Sequence, residues 1–365
     1  MAPSLSTTQS TPQQGRKPLY DAEILSRYEP EYDVEVTYPP LEEYNHIDPG
    51  HKATGAAIQG AILTELTPSI GTEISGRQVS SFTEAEKNEL ALLAGQRGLL
   101  VFRDQDFAAW APEKQLEFVQ YFGRIHIHPA SAHIKGHPEF HIVSRGFDNA
   151  SAHPTKVPNN ANTESYEKSA KIEENTDLGD SISSLAWHSD VSYERQPPGS
   201  TFLWILQNPE AGGDTVFASQ VEAYNRLSQP FKDRLEGLEV LHSGVEQADN
   251  ARARGGHVRR APVEHIHPLV RTHPVTGQKA LYVNKQFSRR IIGYKKEESD
   301  LLLNFLYDHV AKGVDFQARV KWSPGSVVVW DNRVTVHSAL LDFKKTDQRL
   351  IARLTPQAEI PFEKE

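Results

Sequence analysis

The chain has 365 residues and a formal net charge of -9, with 39 Lys and Arg against 48 Asp and Glu. That balance argues against a general role on nucleic acid or acidic membranes, which need a basic surface to displace counterions, although a local basic pocket stays open. With no cysteine there is neither a disulfide framework nor a thiolate metal site, so any metal must be held by carboxylates and by some of the 16 histidines.

Residues 1 to about 55 are rich in Ser, Thr, Gln, Pro and Tyr without a sustained period, and read as a disordered tip followed by an extended arm. MAPSLSTTQSTPQQG lacks the apolar core of a secretion signal, and no apolar run approaches the roughly 18 residues that span a bilayer. A soluble, cytoplasmic protein is the expectation. Residues 56–365 read as one domain. FTEAEKNELALLAGQRG predicts its first helix: Thr83 and Glu86 stand in the capping-box relation, Leu90, Leu93 and Ala94 form an apolar stripe, and Gly98 ends it. LLVFRDQ follows as a buried strand. A second helix covers about 112–122, with Phe118, Tyr121 and Phe122 at helical spacing before Gly123.

Residues 145–180 turn polar and acidic without periodicity, which predicts a lid over a pocket. The runs STFLWIL, GDTVFAS, LEVLHS, ALYVN and SVVVW then read as short strands between Pro and Gly turns, with helical insertions near 219–236 and 297–312. This order predicts a mainly β fold with flanking helices, a barrel or jelly roll. HIHP occurs at 126 and again at 265 with different flanks, which is not a repeat.

AWHSDVSYERQPPG places His188 and Asp190 two positions apart, and on a strand such side chains share a face. His337, in WDNRVTVHSALL, supplies a third ligand after the apolar strand SVVVW. Two histidines and a carboxylate form a facial triad that leaves three adjacent positions open on non-haem Fe(II). A chelating keto acid would fill two of them, and its distal carboxylate would need an arginine, whose fork matches it bidentately. TDQRLIARLT puts Arg349, Ile351 and Arg353 on one face of a strand, and two inward arginines imply two anionic guests. His242, His257, His265, His273 and His309 are read as surface or satisfied core groups.

WHSDVSYERQPPGSTFLWILQNPEAGGDTVFASQVEAYNRLS, HPLVRTHPVTGQKALYVN and WDNRVTVH followed by paired arginines together resemble the taurine dioxygenase family of Fe(II)- and 2-oxoglutarate-dependent oxygenases, most of all the fungal sulfonate dioxygenases. The resemblance runs from about residue 55 to 358. It implies a double-stranded β-helix, with Fe(II) as cofactor, 2-oxoglutarate and O2 as co-substrates, and a small anionic organic substrate. His188, Asp190 and His337 match the iron ligands, and Thr215 and Arg349 match the residues that hold the 2-oxoglutarate carboxylate. Arg353 and His128 match the groups that hold the sulfonate, while Val191 and Phe287 match apolar pocket walls. Two positions depart: Ser184 stands where the taurine enzymes have asparagine, and Ser131 where they have tyrosine, so the pocket is expected to be roomier. One extra residue between His337 and Arg349 falls to a loop at 344–347. Relatives form dimers or tetramers, so a homo-oligomer is open.

The implied reaction hydroxylates the carbon next to the sulfonate of a small, taurine-like alkanesulfonate, releasing sulfite and an aldehyde along with succinate and CO2. The same chemistry on an aryloxy- or other carboxylate or an alkyl sulfate is the alternative, since Arg353 binds any small oxyanion. A non-catalytic metal- or anion-binding barrel is a third reading, which a complete triad with Thr215 and Arg349 argues against.

Overall fold

The computed structural model describes residues 19–32, 36–145, 187–253, 256–344 and 347–364. Short runs of β-branched and aromatic residues make its strands, as their packing on a pleated surface favours. The first are β1 (Ile62–Glu65), β2 (Thr72–Ser75), β3 (Leu99–Phe102), β4 (Ala132–Ile134) and β5 (His137–Arg145). Next come β6 (Ser200–Gln207), β7 (Thr215–Ser219), β8 (Glu239–Ser243), β9 (Glu264–Pro268), β10 (Val270–Thr272), β11 (Lys279–Leu281) and β12 (Ser288–Ile291). The last are β13 (Gln317–Val320), β14 (Val327–Asp331), β15 (Thr335–Ala339) and β16 (Arg349–Leu354).

A major sheet of eight strands runs β1-β2-β3-β14-β6-β16-β5-β4, and a minor sheet of three runs β13-β7-β15. The period-two alternation of side chains assigns the faces. Leu99, Val101, Leu203, Ile205, Val328, Trp330 and Ile351 of the major sheet meet Phe217, Ala318 and Val320 of the minor sheet in one buried cluster. The two sheets therefore face each other, which is the jelly roll expected. Their alternate neighbours Leu100, Phe102, Phe202, Trp204, Leu350 and Ala352 point outward, into a second cluster with Leu90, Ala94, Phe118 and Phe122. Each large apolar side chain buried in this way contributes about 1.5–3 kcal/mol.

Helices close both outer faces: α1 (Ala22–Ser26), α2 (Glu84–Arg97), α3 (Pro112–Gln120), α4 (Gln220–Asn225), α5 (Gln229–Leu235), α6 (Val245–Ala253) and α7 (Lys296–Lys312). Thr83 caps α2 through the reciprocal bonds with Glu86, and Gly98 ends it at φ 71. The insertion near 219–236 is two helices, because Ser228-Gln229-Pro230 restarts the chain with a proline in the first turn of α5. No helix among the described residues is long and apolar enough to cross a membrane.

The arm departs from a simple extended segment. Asp21 accepts from the Ile24 amide (2.9 Å) to start α1, and Tyr28 is fully buried with its ring 6.2 Å from Trp204. The arm's tyrosines supply apolar area that its polar average conceals. The proposed lid lies outside the described residues apart from Arg145, at the end of β5, and so does Ser184.

Candidate functional site

His188 and His337 are brought together by the backbone. Each donates its amide hydrogen to the other's carbonyl, at 3.0 and 2.8 Å, and the imidazole centroids lie 4.3 Å apart. His337 is on β15 opposite Phe217 of β7, so its side chain enters the space between the sheets. There it stacks on Phe217 (5.7 Å) and tilts against Trp330 (4.9 Å), two core rings that fix its orientation. Asp190 completes the group. Its Oδ1 is 3.9 Å from His188 Nε2 and 3.8 Å from His337 Nε2, and one ligand atom from each of the three residues fits within 4.8 Å.

The protonation states suit a divalent cation. Burial works to raise the Asp190 pKa, but Arg353 and the two imidazoles more than offset it and hold the carboxyl well below its usual range. Burial, then the charges of His188 and Arg353, keep His337 neutral by lowering its pKa well below 6.5. An ionised carboxylate beside a neutral imidazole suits a ferrous ion. It is the Nε2 of His337 that faces Asp190, while its buried Nδ1 has no hydrogen-bond partner among the described residues. The residues present therefore fit the metal.

A second layer that the sequence reading did not single out holds Asp190. Thr201 donates to its Oδ2 (2.7 Å), leaving Oδ1 toward the histidines, and Asn332 donates in turn to Thr201 (2.9 Å). The Asn332 Oδ1 accepts from the Asp190 amide and from Trp330 Nε1, both at 3.0 Å. Ser189, facing away, donates to the Thr335 carbonyl (3.0 Å). Val191 follows at φ 37, a left-handed backbone that a β-branched residue adopts only under constraint. It packs with Tyr193 and Phe287, and the Phe287 ring stands edge-on to His188 at 6.0 Å.

Arg349 and Arg353 project from β16 on the same side as Ile351, into the space between the sheets. Arg349 is 3 % exposed, and no acceptor among the described residues bonds its guanidinium. Burial, reinforced by the charge of Arg145 and only partly opposed by Asp214, pushes its pKa down to about 10. A buried cation whose hydrogens lack acceptors is costly, and an anion relieves that cost. Gly213, at φ 71, passes so close that a Cβ there would lie 3.4 Å from the Arg349 Nε. Two residues on, Thr215 faces inward like Phe217 and accepts from Trp322 Nε1 (3.1 Å), which leaves its own hydroxyl hydrogen to donate.

Arg353 is nearer the metal group. It donates from Nη1 to Asp190 Oδ1 (2.7 Å) and from Nε to His141 Nδ1 (3.0 Å). The His128 ring tilts against that of His141, centroids 4.6 Å apart, and its Nδ1 accepts from the Ala130 amide at 3.1 Å. Arg259 holds this turn by donating to the carbonyls of His128 and Ser131. The hydroxyl of Ser131 is buried without a partner among the described residues.

The histidines read as background are bonded elsewhere. Ser192 and His242 hydrogen-bond (2.9 Å), His273 pairs with Asp331 (3.1 Å), and His265 and His309 bond the carbonyls of Tyr193 and Ala223. His257 is half-buried, with a buried Nε2 that has no partner.

Comparison with known proteins gives a consistent picture. Residues 63–355 match the family model described as taurine catabolism dioxygenase TauD, TfdA family. The chain is 44% identical over 344 residues to an alpha-ketoglutarate-dependent sulfonate dioxygenase of Saccharomyces cerevisiae, covering 92% of this chain and 78% of that protein. It is 39% identical to the alpha-ketoglutarate-dependent dioxygenase cnsP of Penicillium expansum, over 93% of this chain and 88% of the relative. Among solved structures, a taurine dioxygenase from Burkholderia xenovorans superposes with a TM-score of 0.62 at 26% identity, covering 83% of this chain and 93% of that one.

Proposed function

Because the chain belongs to the taurine catabolism dioxygenase TauD, TfdA family, we propose that it hydroxylates the carbon next to the sulfonate of a small alkanesulfonate, with release of sulfite and an aldehyde. The chain is a 2-oxoglutarate-dependent dioxygenase, an oxidoreductase that uses Fe(II), 2-oxoglutarate and O2. His188, Asp190 and His337 would hold ferrous iron, which would supply dioxygen activation coupled to decarboxylation of the keto acid to succinate and CO2.

The remaining work is binding and positioning. The Arg349 fork takes the distal carboxylate of 2-oxoglutarate, and the Thr215 hydroxyl donates to it. Arg353 and His128 hold the sulfonate, so that the carbon beside it is presented to the metal while the rest of the substrate rests on Val191 and Phe287. Ser131 and Ser184, both short, leave room for a tail larger than that of taurine.

The observation that carries this reading is Arg349: a buried guanidinium that no acceptor among the described residues hydrogen-bonds, beside the turn that leads to Thr215, is suited to an anionic guest and has no use in a barrel that only binds a metal. The test is a panel of alkanesulfonates, aryloxyacetates and alkyl sulfates, read by succinate formation and by sulfite release. Succinate with sulfite supports the reading. Succinate from carboxylates or sulfate esters alone overturns the substrate, and no succinate from any of them overturns the reaction. We also place the protein in the cytoplasm as a dimer or tetramer, which light scattering on the eluting protein checks.

A further inference from the structure

We propose that His141 is a specificity-determining residue, the third donor to the substrate's head group alongside Arg353 and His128; the inference rests on the functional reading above and deepens it. His141 lies on β5 directly opposite Arg353 of β16 in the strand register, half-buried at the mouth of the site. Its Nδ1 accepts from Arg353 Nε (3.0 Å), the guanidinium whose Nη1 bonds Asp190. It thus stands one side chain away from the metal ligands.

Accepting at Nδ1 fixes the tautomer: a neutral imidazole then carries its hydrogen on Nε2. The same holds for His128, whose Nδ1 accepts from the Ala130 amide. Burial, then the charge of Arg353, keep both rings neutral. The Nε2 of neither ring has a hydrogen-bond partner among the described residues, and the rings lie tilted against each other with centroids 4.6 Å apart. Arg353 likewise uses Nε and Nη1 and keeps Nη2.

Three neighbouring groups therefore have a hydrogen to give: a guanidinium and two imidazoles. A planar carboxylate offers only two oxygens to these three donors, Arg353 Nη2 and the two imidazole Nε2 hydrogens. A sulfonate or sulfate ester offers three, arranged tetrahedrally, and gains from each additional donor. The trio therefore favours a tetrahedral anionic head group over a carboxylate.

Two variants test this. His141→Phe keeps the ring and removes both nitrogens, and His141→Asn keeps an acceptor near the Nδ1 position for Arg353 but lacks the far donor. With the sulfonate that the wild type turns over, both raise KM about tenfold or more while kcat changes much less, and the dissociation constant of 2-oxoglutarate stays within about twofold. For a carboxylate of the same chain length, KM moves by less than about threefold. An unchanged KM for the sulfonate in His141→Phe overturns the inference, and so does an equal loss for sulfonate, carboxylate and 2-oxoglutarate, which marks general damage. Recovery of the wild-type KM by His141→Asn also overturns it, because His141 would then only position Arg353. If the wild type releases no sulfite from any sulfonate, the functional reading fails by itself. Calorimetric titration with inorganic sulfate then still decides: tighter binding to the wild type than to His141→Phe upholds the third donor, and equal binding overturns it.

Discussion

His188 and His337 form a two-residue antiparallel bridge, exchanging amide-to-carbonyl hydrogen bonds at 3.0 and 2.8 Å. The separation of the imidazoles is therefore set by the main chain, and Asp190 is drawn to them by the short turn at Val191. Such a site is organised before the metal arrives, which limits the entropy lost on binding it.

The bonds behind Asp190 predict how the metal is tuned. Thr201→Val removes the hydroxyl that occupies Oδ2 and leaves the Asp190 carboxylate held by Arg353 alone. Metal affinity is expected to fall about 10–100-fold, measured by competition titration with Fe(II) or Co(II), with the variant still folded. Asn332→Ala acts in the same direction and in addition destabilises by about 1–3 kcal/mol, because the buried groups of Thr201 and Trp330 lose a partner.

Arg349 predicts a trade between affinity and stability. Arg349→Met keeps the volume and removes a buried cation that no described acceptor hydrogen-bonds and that Asp214 only partly offsets, so the ligand-free variant is expected to melt at a higher temperature than the wild type. Its affinity for 2-oxoglutarate falls about 10–100-fold. Thermal scans with and without 2-oxoglutarate check both: the wild type gains on adding the keto acid, and the variant does not.

Glu194 predicts an acid-sensitive contribution to stability. Its carboxylate is buried between His126 (3.0 Å) and Arg260. Burial works to raise its pKa, yet those partners bring it from 4.5 down to about 2. The folded group binds its proton less readily than the unfolded one, so its contribution is full above pH 4.5 and is lost as the pH falls toward about 2. Glu194→Gln should cost about 2 kcal/mol at neutral pH. In unfolding curves the gap from the wild type should narrow as the solution is acidified below pH 4.5, and a constant gap would count against this account.

The arm is predicted to be part of the domain's stability. Arg333, fully buried, donates to Asp48 (2.6 Å) and to both oxygens of Asp331. Asp48→Asn keeps the shape and removes a charge. The expected loss is about 1–3 kcal/mol by denaturant titration, with 2-oxoglutarate affinity unchanged.

Much of this site can be read from spacing. His188 and Asp190 lie two apart, Arg349 and Arg353 alternate with Leu350, Ala352 and Leu354, and the capping pair at Thr83 and Glu86 marks a helix start. In each case the signal is local: helix and strand periods dictate which side chains share a face at Thr83 and along β16, whereas His188 sits at an isolated bridge and Asp190 already in a turn, so their spacing marks the pair without the strand expected of it. Thr201, Asn332, Trp322 and His141 are invisible to that reasoning. Asn332, Trp322 and His141 earn their place through a partner more than a hundred residues away and Thr201 through Asp190 across a turn, and a polar residue inside an apolar strand carries no period of its own. The arm was obscured differently: its burial depends on Tyr20, Tyr28 and Asp48, single residues in a segment whose average is polar.

The opposite faces of β15 make residue count a functional variable. Val336 packs among the outer helices, whereas His337 enters the inter-sheet space. Inserting one residue in the turn between Trp330 and His337 would put Val336 at the metal position and deleting one would put Ser338 there, and in either case the imidazole would face the outer helices. The stretch from Ala339 to Arg349 is under no comparable restriction, because β16 takes its register from β5 and β6 rather than from β15. Length can therefore drift on one side of His337 and not on the other, which gives a simple arithmetic for grafting this centre onto another barrel.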